Sequence, residues 1–89
     1  MVKVQIPTPM REQAGGKAEV EVTGGTVKAA LDDLIRQHPG LQTKLFDNGR
    51  LRPYVNVFVN DEDIRYLDDL NTAVADKDEV SIIPAVAGG

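Results

Sequence analysis

The chain has 89 residues, 42% of them hydrophobic and 27% charged, which fits one small globular domain and argues against disorder. It has no cysteine and a single histidine, so disulfides, thiolate metal sites, iron–sulfur ligation, cysteine nucleophiles and multi-histidine metal centres are excluded. A formal net charge of −4 is the wrong sign for binding nucleic acid through its phosphates. The chain also lacks a basic-then-apolar opening and any apolar run long enough to span a bilayer, which predicts a cytoplasmic protein with no membrane contact.

Val2-Lys3-Val4-Gln5-Ile6 alternates apolar and polar residues with period two and predicts a strand with Val2, Val4 and Ile6 inward. Pro7 and Pro9 stop it, and Thr8 to Lys17, with Gly15-Gly16, reads as a loop. Ala18-Glu19-Val20-Glu21-Val22 alternates again, so the two strands predict an antiparallel hairpin with one solvated face. After Gly24-Gly25, Thr26 is a good helix N-cap. The period then changes: Val27, Ala30, Leu31, Leu34 and Ile35 form one apolar stripe at helical spacing, and His38-Pro39-Gly40 ends the helix.

Leu41 to Phe46 predicts a turn of helix closing one end of the core, and Asp47-Asn48-Gly49 a turn. Tyr54-Val55-Asn56-Val57-Phe58-Val59 is the clearest strand, with the three valines on one face and Phe58 on the other. Asn60 to Asp63 reads as a solvated turn, Ile64-Arg65-Tyr66 as a short edge strand, and Leu67 to Ala75 as a turn with Leu70 and Val74 inward. In the last strand, Glu79-Val80-Ser81-Ile82-Ile83, Val80 and Ile82 point inward and Ile83 outward. The helix stripe and the inward strand faces must cover each other, which predicts an α+β domain of two layers, a sheet packed on one main helix.

No catalytic constellation is visible. The only serine, Ser81, lies inside a strand, and the one histidine sits at a helix end, where a charged imidazole is favoured by the helix dipole. Gly24-Gly25-Thr26-Val27-Lys28 lacks phosphate-loop spacing, and Asp61-Glu62-Asp63 lacks the glycine and terminal glutamate of a calcium loop. Two other features point to function. Phe58 and Ile83 face away from the core, and an exposed apolar patch marks a contact surface. The chain ends Pro84-Ala85-Val86-Ala87-Gly88-Gly89, a tip without bulky side chains that another protein's active site can admit, because glycine carries no Cβ.

The segment from Val55 to Arg65, then Thr72-Ala73-Val74-Ala75-Asp76 and Ile82 to Gly89, resembles the prokaryotic ubiquitin-like sulfur carriers of the ThiS/MoaD superfamily, most of all the CysO-type carriers of cysteine biosynthesis. The opening Val4-Gln5-Ile6-Pro7-Thr8 fits the same type. The resemblance implies a β-grasp, ubiquitin-like fold, with a mixed sheet of four or five strands in which the first and last lie side by side and parallel. It implies a β-grasp domain over residues 1–84 and a flexible C-terminal tail over 85–89.

It implies no catalytic site and no bound cofactor. An activating enzyme of the ubiquitin-activating type uses ATP to adenylate the Gly89 carboxylate, which then becomes a thiocarboxylate. A PLP-dependent cysteine synthase takes the sulfur, and a metalloprotease trims the product from the tail. Ala87, Gly88 and Gly89 thread into partner sites, and Phe58, Ile83 and Val86 bind the partners. Two related readings stay open: a small subunit of molybdopterin synthase, and a ubiquitin-like modifier joined to lysines.

Overall fold

The structure, a computed structural model, describes residues 1–84. The alternating segments form the strands expected of them: β1 (Val2–Gln5) and β2 (Glu19–Val22) pair antiparallel, Val4 opposite Val20. Helix α1 (Val27–Gln37) begins where Thr26 predicts, and the Thr26 hydroxyl accepts a hydrogen bond from the Ala29 amide at 3.1 Å. That satisfies one of the orphan donors of the first turn. On the solvent face, the Lys28 ammonium donates to the Asp32 carboxylate one turn on at 2.8 Å. Gly24 is required by close approach: a Cβ there would come within 2.6 Å of the Ala30 backbone nitrogen.

Beyond α1 the chain makes a short 3-10 turn (Pro39–Leu41), one turn of helix α2 (Gln42–Leu45), and a small hairpin of β3 (Phe46–Asp47) and β4 (Arg50–Leu51). Leu41 and Leu45 are fully buried and close one end of the core. Asn48 and Gly49 both take positive φ at the hairpin tip, which suits the twist of a tight β-turn.

β5 (Val55–Val59) and β7 (Glu79–Pro84) then pair antiparallel, and the short strand β6 (Glu62–Asp63) adds to the far side of β5. The sheet order is β2-β1-β7-β5-β6, and the central pair β1 and β7 is parallel, as the resemblance implies. β1 and β7 are the first and last strands, so their parallel contact needs the intervening chain to cross over, and α1 does this. Val27, Ala30, Leu31 and Leu34 of α1 pack against Val2, Val4, Val57, Val80 and Ile82 of the sheet in one buried cluster.

Three local expectations are corrected. The stretch read as a loop after β1 is a 3-10 helix over Thr8–Ala14, with Met10 and Ala14 buried. Its two buried apolar side chains, Met10 and Ala14, are too few to mark a period, and packing against the Pro39–Leu41 turn selects the helical form. The edge strand is Glu62–Asp63, not Ile64–Tyr66, which forms a 3-10 turn. The Asp63 carboxylate caps that turn by accepting the Arg65 amide at 2.9 Å, a local bond that competes with continuing the strand. The trio Asp61-Glu62-Asp63 is therefore not uniformly solvated, since Asp63 is buried.

The segment after β6 is held to the start of α1. The Val27 amide donates to the Thr72 carbonyl at 2.9 Å, and the Val74 amide to the Gly25 carbonyl at 3.0 Å. Val74 is buried and Leu70 packs on the core, in line with expectation.

Candidate functional site

The outer face of the sheet, opposite α1, is set by strand register. Directly paired residues share a face, so Gln5, Ser81, Phe58 and Asp63 form one row across four strands. Ile83, opposite Asn56, lies in the next row, one diagonal step from Phe58. The structure thus brings Phe58 and Ile83 together on the face the alternation predicts. Their exposure differs: Ile83 is 46% exposed, whereas Phe58 is half-buried. Val86, Ala87, Gly88 and Gly89 lie outside the described residues.

A polar network that the sequence reading does not anticipate borders this patch. The Arg65 guanidinium donates to the Asp63 carboxylate at 2.8 Å and also to the Asn56 side-chain carbonyl. Asn56 stands beside Ile83 and Asp63 beside Phe58, so Arg65 spans both rows. The usable signal was the alternation of Asn56 with Phe58 on one strand and an Asp-x-Arg pair just past the turn. Together these put amide, acid and guanidinium on one face.

The hydrogen bonds from Arg65, through its side chain first and its backbone second, hold the Asp63 carboxyl below the usual carboxylate range. Asp33 is lowered too, chiefly by the Thr23 amide and then by Arg36, and Asp78 chiefly by the Ala75 amide and then by Asn60. Folded values below unfolded ones mean that the unfolded chain binds protons more readily. These groups therefore stabilise the fold above about pH 4, the ordinary unfolded value, and that contribution is lost as pH falls through their lowered folded values. Asp63→Asn is expected to flatten the acid limb of stability against pH, read from urea midpoints between neutrality and the acid transition.

The end of β7 carries the rest of the site. Pro84 is paired with Val55, so the strand stays in register to its last described residue. β1 leaves its pairing with β7 at Gln5, opposite Ser81. Beyond that point Ile83 and Pro84 border a shallow depression, of about 350 Å³, together with Pro7, Thr8 and Arg11. The Arg11 side chain is held there by donating to the Ile6 carbonyl at 3.0 Å. Among the described residues there is no group of three or more His, Cys, Asp or Glu able to hold a metal, and no helix long and apolar enough to cross a membrane.

A five-stranded mixed sheet over one principal helix, with parallel first and last strands and the chain end leaving from the central strand, defines a ubiquitin-like β-grasp protein. The model of the ThiS family matches residues 4–89, and the chain belongs to that family. It is 45% identical to the sulfur carrier protein CysO of Mycobacterium tuberculosis, over 99% of this chain and 98% of the relative. Among solved structures it is similar to the Amycolatopsis orientalis BexX/CysO complex (TM-score 0.93, 43% identity, 100% of each chain). It is also similar to the small archaeal modifier protein 1 of Methanosarcina acetivorans (TM-score 0.89, 34% identity, 99% of this chain and 95% of the other).

Proposed function

We propose that this protein is a sulfur carrier whose reactive group is its own terminal carboxylate, serving most directly in cysteine biosynthesis. The observation that carries the reading is the full-length likeness to CysO, on a fold whose central strand leads into Gly88-Gly89. A terminal carboxylate is ionised at neutral pH and resists nucleophiles. Attack of its oxygen on the α-phosphorus of ATP, with loss of pyrophosphate, gives an acyl-adenylate. A sulfide equivalent then adds to the carbonyl and AMP departs, leaving a thiocarboxylate. The partner enzyme supplies this chemistry. The chain supplies a narrow end and a body that docks, and docking raises the local concentration of the end at the reacting centre.

The activating enzyme, a PLP-dependent synthase that accepts the sulfur and a tail-trimming metalloprotease are proposed as successive partners. The existence of a BexX/CysO complex for a relative supports the view that such carriers dock as folded bodies. Phe58 and Ile83 are proposed to meet the partner first, with Val86 extending the contact. Ile83→Asp is expected to raise the KM of the activating enzyme for the carrier about tenfold or more. Ile83 is 46% exposed on the central strand, so stability should fall by only about 1 kcal/mol, the span of strand propensity. Steady-state kinetics beside a melting curve checks both.

The deciding test of the function is to incubate the protein with ATP, a sulfide source and the host's activating enzyme and weigh it. Replacement of one oxygen by sulfur at Gly89 is expected, and an unchanged mass would remove the proposal. A second reading, conjugation to lysines, is supported by the likeness to small archaeal modifier proteins. Isopeptide-linked Gly89 on tryptic peptides of other proteins would establish it.

A further inference from the structure

The two ends of β7 differ in the charges around them. The strand enters the sheet at Glu79, beside Asp76 and Asp78, and the Asn60 turn with Asp61 and Glu62 is hydrogen-bonded to the same end. It leaves at Pro84 opposite Val55, whose amide donates to the Arg52 carbonyl at 2.9 Å. The exit of the terminus therefore lies beside a basic segment, Arg50-Leu51-Arg52, in a chain that is acidic overall.

That segment borders a cleft of about 400 Å³ at the β6 edge of the sheet, lined both by Val55 and Val57 of the helix-side face and by Asp63 and Arg65, which border the Phe58–Ile83 face. Its floor is apolar: Leu51, Val57, Ile64 and Leu70. Leu51 and Leu70 are only half-buried, so this apolar surface is open to water. Of the two carboxylates on the lining, Asp63 is taken by Arg65, and Asp69 forms no ion pair among the described residues. Neither Arg50 nor Arg52 forms an ion pair among the described residues, and Asp47, opposite Arg50 in the hairpin, makes none with it. Arg52 is fixed, its Nε donating to the Thr43 carbonyl at 2.7 Å.

An open apolar cleft of this volume falls in the range that takes a ligand or a large side chain, and unpaired guanidinium groups at its rim select carboxylates. We propose that this cleft receives a segment of the activating enzyme in which a large apolar side chain is flanked by acidic residues. The apolar side chain fills the floor and the carboxylates pair with Arg50 and Arg52. The inference rests on the sulfur-carrier reading and deepens it. The cleft is a second grip, beside the point where the terminus departs, and it orients the body so that the end enters the active site rather than passing it. The acidic pole at the other end of β7 is repelled by the same acidic partner surface, which excludes the reversed orientation.

The experiment compares wild type, the double variant Arg50→Glu/Arg52→Glu and the double variant Arg50→Lys/Arg52→Lys as substrates of the host's activating enzyme, at low and high salt. The charge-reversed protein is expected to show a KM raised about tenfold or more, with kcat little changed. Salt should raise the wild-type KM and lower that of the reversed protein, because it screens attraction in the first and repulsion in the second. The lysine variant should fall between them. Arg50→Glu alone, which has no side-chain hydrogen bond among the described residues to lose, answers the question if the double variant does not fold.

In a parallel measurement, the methyl NMR signals of Leu51, Ile64 and Leu70 should shift when unlabelled enzyme is added without ATP. Equal KM values for wild type and reversed protein at both salt concentrations, or unshifted methyl signals in a formed complex, overturn the inference while leaving the carrier reading intact. A wild-type protein that is never adenylated overturns both. Self-association at high protein concentration that the charge reversal abolishes would give the cleft to a second copy of the chain, and overturn the inference as well.

Discussion

A chain truncated after Ala87 should fold like the full-length protein and accept no sulfur. Pro84 is the last residue held in register, opposite Val55, so no described sheet contact is removed with the last two residues. Stability should therefore change no more than for an exposed substitution, within about 0.5 kcal/mol. The mass gain in the presence of ATP, sulfide and activating enzyme should vanish, because the attacking carboxylate now falls two residues short of the reacting phosphate. Gly88→Ala is the finer version. It keeps the length but adds a Cβ to the end that the proposed function threads into a partner's site, and a misplacement of about 1 Å at a reacting centre lowers the rate about a hundredfold. Retained thiocarboxylate formation in the truncated chain would remove the terminus from the mechanism. The readout is intact mass for product and a melting curve for fold, on the same samples.

Leu34→Ala should have the opposite profile, with a large loss of stability and no specific effect on the end chemistry of molecules that remain folded. Leu34 is fully buried on the core face of α1. Removing it deletes apolar contact and leaves a cavity that close packing cannot collapse, at a cost of about 3 kcal/mol. A chain of this size has only about 5–13 kcal/mol in total. The thermal midpoint should accordingly fall by about 12–24 °C. Denaturant titration with an unchanged slope would show that the loss is in the folded state. A fall of less than about 1 kcal/mol would mean that the α1 layer is loosely packed against the sheet, against the cavity cost expected of a close-packed core.

These two results separate the roles that the chain divides between its parts. Ile83→Asp sits between them, since it alters the proposed docking face without touching either core or terminus. The three variants together distinguish loss of fold, loss of docking and loss of the reacting group by which of midpoint, KM and product mass responds.

Much of the framework is legible in residue order because its periods are unambiguous. Alternation in Val2 to Ile6, Ala18 to Val22 and Tyr54 to Val59 identifies the long strands and their buried faces, and the Thr26 cap with the stripe Val27 to Ile35 identifies α1. Short segments are not legible in this way. Thr8–Ala14 and Ile64–Tyr66 are each a turn or two of 3-10 helix. Met10 and Ala14 alone establish no period in the first, the second is too short to show one, and the conformation is selected by what lies against it: the Pro39–Leu41 turn against Thr8–Ala14, the Asp63 carboxylate under the Arg65 amide.

The site divides along the same line. Local residue types were enough for the outward direction of Phe58 and Ile83, the absence of thiol or multi-histidine chemistry, and the bare Gly-Gly end, because each depends on side-chain identity or on a period of two. Which outward residues become neighbours could not follow from that, since pairing joins positions far apart in the chain. β7 falls between β1 and β5 only once α1 has crossed the sheet, and that crossing sets Ser81 between Gln5 and Phe58 and Ile83 beside Asn56. The same folding brings Arg65 across to Asn56, buries Asp63, and opens the Arg50–Arg52 cleft beside the exit of the terminus. Contacts of this kind belong to the packed layers, in which burial of one apolar face against another fixes register and proximity together.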